Sequence, residues 1–307
     1  MKGLLLAEKF YNEYGKRMIE SEFSEYADRI AVGLVGHGSE CFGFDDDISL
    51  DHDFSPAFNI WITDEDDGIF GFKLFRAYSK LPKEFMGVKL QKESAFGNSG
   101  KGVSTISNFY SFYTGTGRAP ESNREWLSIP DFYLAEATNG KVFCDPLGKF
   151  TEIRNKLLFG MPEDVRIKKL ASNIFNMAQS GQYNYARCLS HGEKTASAIA
   201  LTDFVKSTAY AVFNLNKKHP PYYKWLFRAL KDLPVLGETA TDLEKLLSSP
   251  YDKENNIKII EKICSLVASE LRNQGLTERT EDYLEPYAYC ITNKIKDGEL
   301  RNSPVIH

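Results

Sequence analysis

The sequence predicts an α+β protein in which an α/β head with a small mixed sheet, residues 1–160, precedes an all-α helical bundle, residues 161–307. In the head, short apolar runs alternate with stretches of helical periodicity, which is typical of a sheet covered by helices. After Gly160-Met-Pro162 the pattern is helical only. A hydrophobic content of 42 % and an aromatic content of 13 % are sufficient for a large core.

The elements of the head follow from this pattern in chain order. A one-sided helix is expected over residues 2–21, and a polar residue, Asn108, is expected to cap a short aromatic helix. A Gly- and Ser-rich stretch, 93–102, favours a plain flexible loop over a phosphate-binding loop because it lacks the P-loop spacing. The strands are expected at 30–35, 58–62, 103–106 and 141–145, and further helices at 64–80, 109–113, 127–138 and 150–159.

The second half reads as a series of helices separated by glycine and proline. Pro162 suits the first turn of a helix, and the acidic residues that follow it suit the positive end of the helix dipole. The helices are expected at about 163–190, 192–216, 220–232, 239–248, 254–274 and 280–296.

The charge and cysteine content exclude several classes of protein. The net charge is −4, so no global basic field favours nucleic acid as a partner. No apolar run reaches membrane-spanning length, and no membrane partner is expected. The five cysteines are scattered without metal spacing or a disulfide pattern, which predicts a cytoplasmic protein.

The most informative motif joins Gly38-Ser39 to Asp51-x-Asp53 after the first predicted strand. Side chains alternate along a strand, so Asp51 and Asp53 are expected on one face. Two adjacent carboxylates repel each other, and a hard divalent cation would remove that conflict. The alternative is an acidic surface loop, because three more aspartates, 45–47, stand nearby.

This motif resembles the signature of the DNA-polymerase-β-like nucleotidyltransferase superfamily. Within it, the chain is similar to the small-molecule branch, which includes aminoglycoside and lincosamide adenylyltransferases, and to bacterial members with a helical C-terminal domain of unassigned function. The resemblance implies that Gly38 and Ser39 hold a nucleoside triphosphate at a helix N-terminus. It also implies that Asp51 and Asp53 bind Mg²⁺, with Mn²⁺ as an alternative, and that ATP is the substrate.

The sequence departs from this family in one respect. The family often places a third carboxylate on a later strand, and the matching stretch here, 103–106, contains no acid. The departure leaves the two-metal arrangement open or shifts the role to Glu136 or Asp145. Asp145 is also a plausible turn residue, because it precedes Pro146.

The helical half supplies further candidates. Arg187, Lys217 and Lys224 stand in dense polar and aromatic segments and are expected to contact the triphosphate, although a solvated helix face explains them equally. A carboxylate or histidine near the metal is needed as general base. Glu193 is the first candidate for that role and His37 the second.

The resemblance therefore predicts transfer of a nucleoside monophosphate, most simply AMP from Mg·ATP, to a hydroxyl or other nucleophile of an unknown small-molecule acceptor, with release of pyrophosphate. Two alternatives stay open at this point. The head is a degenerate nucleotide-binding sensor or partner protein, or the enzyme acts on a protein or tRNA end.

Overall fold

The computed structural model describes residues 1–46, 55–89 and 101–306. The protein is mostly helical, at 64 %, with a small mixed sheet, which confirms the α+β class. The chain forms two compact units. The first comprises Met1–Glu121 and Ile129–Gly160, and the second comprises Ser122–Ser128 and Met161–His307. The short segment Ser122–Ser128, which lies within the first predicted domain, thus belongs to the second unit.

The first unit is built on a four-stranded sheet in the order β5-β2-β1-β6. Strand β1 is antiparallel to both of its neighbours, and β2 is parallel to β5. The four strands expected from the sequence are present, while a small hairpin, β3-β4, was not predicted. The strands are β1 (Ala31–Leu34), β2 (Asn59–Ile62), β3 (Glu84–Phe85), β4 (Val88–Lys89), β5 (Gly102–Thr105) and β6 (Lys141–Cys144).

Helices cover this sheet, and their apolar faces form its core. A π-helical turn joins α1 to α2 and another joins α4 to α5, so residues 3–22 and 64–79 are each one continuous helix. Phe10, Phe58 and Ile60 belong to a cluster of buried apolar side chains. The helices are α1 (Gly3–Phe10), α2 (Lys16–Glu22), α3 (Ser39–Phe42), α4 (Asp64–Asp66), α5 (Phe72–Ser79), α6 (Ile106–Thr114), α7 (Asn123–Ser128, in the second unit), α8 (Asp131–Thr138) and α9 (Lys149–Phe159).

Two sequence predictions about these helices were wrong. Asn108 does not cap the aromatic helix α6. Its backbone N–H instead donates to the hydroxyl of Thr105, which is the N-cap residue. The helix expected over 127–138 is two helices, because Pro130 ends one and begins the next.

The second unit is entirely helical over its described residues. The helix predicted at 280–296 is shorter than expected, because residues 276–284 form a loop. The helices are α10 (Glu163–Met177), α11 (Ala186–Ser190), α12 (Lys194–Leu215), α13 (Tyr223–Lys231), α14 (Thr239–Ser248), α15 (Lys253–Asn273), α16 (Glu285–Thr292) and α17 (Gly298–Asn302). Among the residues that the structure describes, no helix is long and apolar enough to cross a membrane.

The centre of the second unit is an antiparallel helix pair. A π-helical segment, Ala178–Tyr185, joins α10 to α11, and the chain then reverses into α12. Arg166, near the start of α10, donates to the Asn214 carbonyl near the end of α12 at 3.2 Å. The π-helical segment approaches α12 closely at Gly181, where a Cβ atom would lie 2.2 Å from the Phe204 ring.

Candidate functional site

The first candidate feature is the turn that follows β1. Gly36 has φ +120° and Gly38 has φ +115°, a backbone region that side chains disfavour. Ser39 then begins the short helix α3. A Cβ atom at Gly38 would meet the Glu40 carboxylate at 2.4–2.7 Å, so the tight turn requires glycine there for structural reasons alone.

A side chain from the second half of the unit fixes this turn. Asn139 accepts a hydrogen bond from the Gly36 N–H at 2.9 Å and donates to the Gly36 carbonyl at 2.8 Å. The next residue, Gly140, donates its N–H to the Cys41 carbonyl at 2.8 Å. The turn is therefore clamped on both sides, and its backbone groups are held in one arrangement.

The turn carries a histidine that faces a buried carboxylate. Nδ1 of His37 lies 2.9 Å from Oε2 of Glu136, whose side chain is 3 % exposed, whereas that of His37 is 53 % exposed. The Phe112 ring packs edge-on against the imidazole, with centroids 5.4 Å apart. The Glu136 carboxylate thus orients the His37 imidazole.

A second buried carboxylate, Glu40, faces a lysine. Nζ of Lys101 lies 2.7 Å from Oε1 of Glu40, and both side chains are less than a tenth exposed. Lys101 directly precedes β5, and β5 pairs with β2 so that Gly102 lies opposite Asn59. Lys101 is thereby brought to the edge of the sheet where β1 ends and β2 begins.

A cleft of about 310 Å³ opens beside the turn. Its wall combines an aromatic side with a polar and cationic end. Apolar and aromatic side chains line most small-molecule sites, while a few polar groups fix the orientation of the ligand. The lining of this cleft fits that description, so it is a candidate binding site. It is lined by Leu34, Val35, Gly36, His37, Lys101, Gly102, Val103, Ser104, Asn108, Phe109, Phe112 and Tyr113.

Two titratable groups near the cleft, Cys41 and Tyr113, are not activated nucleophiles. Burial raises the pKa of the Cys41 thiol well above its usual value, and the neighbouring Glu40 raises it further. Burial also raises the pKa of the Tyr113 hydroxyl. Both groups are neutral at pH 7, and a neutral buried thiol is unreactive.

The metal prediction falls mostly on residues that the structure does not describe. Asp51 and Asp53 lie outside the described residues, as does most of the Gly- and Ser-rich stretch at 93–102. Within the described parts of the chain, no group of three His, Cys, Asp or Glu side chains forms a metal site. Glu40 and Glu136 each face a cationic side chain already. The described residues alone therefore do not fit a metal ion.

Asp145, considered as a third metal ligand, has a structural role instead. Its carboxylate accepts hydrogen bonds from the N–H groups of Gly148, at 3.1 Å, and Thr151, at 2.8 Å. These contacts organise the turn into α9. Of the two substitutes considered for the missing carboxylate, only Glu136 lies at the Gly36–Ser39 turn.

The predicted cationic residues of the second unit do not form one group. Arg187 is exposed on α11 and lies over the Tyr183 ring at 5.6 Å. Lys217 lies beyond the opposite end of α12, where its charge helps Arg166 to lower the pKa of Glu163. The rise of 1.5 Å per residue along α12 separates Arg187 from Lys217 by about 30 Å. The two residues are therefore too far apart to contact one triphosphate together.

The remaining two candidates of the second unit lie at its surface. Lys224 is exposed in the first turn of α13, and Glu193 is exposed in the turn before α12. Neither side chain lines a cavity among those found in the described second unit.

Sequence reasoning missed three residues that shape the site. Asn139 and Lys101 are far from the motif in sequence, and only strand pairing brings them to the turn. Glu40 follows Gly38-Ser39 directly, but its acidic side chain gave no signal that it is buried. A buried acid is visible from sequence only when its cationic partner is already known.

Comparison with known families gives one partial match. A family described as Domain of unknown function (DUF4037) matches residues 126–226. This segment runs from α7 to α13, so it includes Glu136, Asn139 and Arg187 but not the Gly36–Ser39 turn. Comparisons with curated proteins and with solved structures gave no match.

Proposed function

We propose that the protein is a cytoplasmic, metal-dependent nucleotidyltransferase. It transfers a nucleoside monophosphate, AMP from Mg·ATP, to a hydroxyl or other nucleophile of a small-molecule acceptor and releases pyrophosphate. The proposal rests on the resemblance of Gly38-Ser39 and Asp51-x-Asp53 to that superfamily.

The observation that carries the proposal is the clamped glycine turn at the mouth of the cleft. Glycines at 36 and 38 allow the backbone to adopt the positive φ angles of this turn. The polar end of the cleft carries the Lys101 ammonium and the His37 imidazole, which are donors that a phosphate oxygen accepts from. Its aromatic side suits a planar base, because bases stack on aromatic rings regardless of their identity.

The chain's own residues have distinct roles in this proposal. Lys101 balances phosphate charge, and Glu40 keeps it at the sheet edge. Phe112, which is 56 % exposed and lines the cleft, provides a face for the base. Because Glu136 orients His37 at the turn, we place His37 ahead of the exposed Glu193 as the group that accepts the acceptor's proton.

The metal ion in this proposal is supported only by the Asp51-x-Asp53 motif. Asp51 and Asp53 would hold Mg²⁺, which would neutralise charge on the triphosphate. Ser55–Phe58 follow the motif in sequence and lead into β2. The N-terminal end of β2 lies at the same sheet edge as the Gly36–Ser39 turn.

A second candidate function is a nucleotide-binding sensor without turnover. One observation favours it. The two buried carboxylates at the turn, Glu40 and Glu136, already face Lys101 and His37, so neither replaces the family's third acidic ligand in the described site. Pyrophosphate release from ATP separates the enzyme from the sensor.

Nucleotide binding is tested by titrating Mg·ATP into Phe112→Ala and into a matched control, Phe159→Ala. Phe159 is 78 % exposed in the same unit and does not line the cleft. Loss of a stacking ring costs about 1–3 kcal/mol, so Phe112→Ala weakens binding at least about fivefold while the control does not. Equal affinities for the two variants would remove the cleft as the nucleotide site.

The metal assignment is tested by Asp51→Asn and Asp53→Asn in the same titration. Each variant is expected to lose the Mg²⁺ dependence of ATP binding and to keep the fold. Unchanged Mg²⁺ dependence in both variants would leave the acidic-loop interpretation. Gly38 variants are unsuitable as tests, because any side chain at that φ strains the turn itself.

A further inference from the structure

A second cavity lies in the second unit, between the loop that precedes α16 and α16 itself. It has a volume of about 440 Å³. Two tyrosines, one glutamate and one arginine contribute most of its polar groups. It is lined by Arg279, Tyr283, Glu285, Pro286, Tyr289, Cys290 and Asn293.

The Glu285 carboxylate is held in place by neutral donors. Its Oε2 atom accepts hydrogen bonds from Nε2 of Gln179 at 2.7 Å and from the Tyr283 hydroxyl at 2.9 Å. Within the described parts of the chain, no Lys, Arg or His nitrogen forms an ion pair with Glu285. Its negative charge is therefore oriented in the groove but not neutralised there.

The nearby arginine does not cancel this charge. Arg279 pairs with Glu281 at 3.1 Å. The segment 278–285 contains four carboxylates and one guanidinium, so it carries a net charge of −3. The groove is thus electrostatically suited to a positively charged ligand.

Two tyrosines, Tyr283 and Tyr289, line the same cavity as Glu285. Tyr289 is 48 % exposed, and the Phe175 ring supports it edge-on with centroids 6.0 Å apart. Burial and the hydrogen bond to Glu285 raise the pKa of Tyr283 to about 12, so it stays a neutral donor. The neighbouring Tyr183 already carries the Arg187 guanidinium over its ring, which shows that this surface holds cations by their contact with aromatic faces.

We propose that this groove binds a small organic ammonium ion, with the cationic centre against Glu285 and the faces of Tyr283 and Tyr289. A carboxylate next to aromatic rings is the arrangement that recognises organic ammonium ions. A bare divalent cation does not fit, because Ca²⁺ takes six to eight oxygen ligands and the groove offers one carboxylate. The proposal does not depend on the nucleotidyltransferase assignment.

The probe is choline, and its control is the uncharged isostere 3,3-dimethyl-1-butanol. Calorimetric titration of the full chain is expected to show choline binding at least about tenfold tighter than the isostere. Such a difference corresponds to about 1.4 kcal/mol for the charge. Equal binding of the two compounds, or no binding of choline, would overturn the proposal.

Three variants locate the site. Glu285→Gln removes the charge but keeps an oxygen that accepts from Gln179, and it is expected to weaken choline binding at least about tenfold. Tyr289→Leu is expected to weaken it at least about threefold, while Tyr223→Leu, a 66 % exposed tyrosine of the same unit, leaves it unchanged. Thermal unfolding of each variant confirms that the fold is kept. If Glu285→Gln binds choline like the wild type, the groove is not the site.

Discussion

The buried ion pair at the candidate site gives the sharpest test of the first unit. In Lys101→Met the Glu40 carboxylate keeps its negative charge at 3 % exposure but loses the cation 2.7 Å away. Removing one partner of a buried pair costs about 3–5 kcal/mol, because the other charge remains buried without compensation. We expect Lys101→Met and Glu40→Gln each to destabilise the first unit by about this amount.

The double variant separates pairing from packing. When both charges are absent, nothing buried is left uncompensated, so Glu40→Gln with Lys101→Met is expected to be more stable than the sum of the single changes by about 2 kcal/mol. The control is Lys141→Met. Lys141 forms a pair of the same 2.7 Å length with Glu8, but Lys141 is 52 % exposed, so its loss costs less than about 1 kcal/mol.

The measurement must report on the first unit alone. Trp61 lies in the first unit, whereas Trp126 and Trp225 lie in the second, so total tryptophan fluorescence mixes the two. Hydrogen exchange of the amides of β1, followed against urea, reports on the sheet directly. The reasoning is refuted if Lys101→Met is no more destabilising than Lys141→Met. It is also refuted if the effects of Lys101→Met and Glu40→Gln add in the double variant.

Further predictions concern other buried groups. Gly181→Ala forces a methyl group against the Phe204 ring and is expected to lower the free energy of unfolding by about 1–3 kcal/mol. Adding Phe204→Leu is expected to restore part of the thermal stability. If it restores none, the close contact is contradicted. Burial lowers the pKa of Lys168, so the folded state carries an unfavourable charge at pH 7. Lys168→Met removes that charge and is expected to be more stable than the wild type at pH 7. That gap should narrow as the pH rises from the folded pKa towards the unfolded value of about 10.5, and a gap independent of pH would refute the cause. Asp45→Ala leaves the Gly3 N–H without the carboxylate acceptor that lies 2.8 Å away. The melting point is expected to fall by an amount equivalent to about 1–3 kcal/mol of unfolding free energy. A loss below about 0.5 kcal/mol would show that water replaces the carboxylate as acceptor.

The sequence predicts the elements of this protein better than their ends. The strands at 31–34, 59–62 and 141–144 stand out as short apolar runs, and Thr239–Ser248 matches the predicted helix over its whole length. Pro130 was overlooked as a break between α7 and α8, although proline inside a helical pattern is a warning of one. The β3-β4 hairpin has a two-residue turn, Met86-Gly87, in which Met86 adopts φ +50°, a conformation that its residue type does not signal.

The site was predictable only where it is local in sequence. The glycine turn is visible because positive φ selects for glycine at neighbouring positions. Asn139 and Lys101 are not visible, because they reach the turn only through strand pairing and helix packing across many residues, and Glu136 became a candidate only through the family resemblance. The separation of Arg187 and Lys217 is not visible either, since both stand in polar, aromatic segments that resemble each other while α12 holds them far apart.

The position of β1 in the sheet has a consequence for how the chain folds during synthesis. β1 is flanked by β2, about 25 residues later, and by β6, about a hundred residues later. Pairings across such long separations form slowly, because the chain between them must first be ordered. Until β6 has emerged from the ribosome, β1 presents one unpaired edge, and an exposed edge of this kind recruits other strands. Fragments that end before residue 141 are therefore expected to aggregate, while those that extend through α9 complete the sheet and stay monomeric.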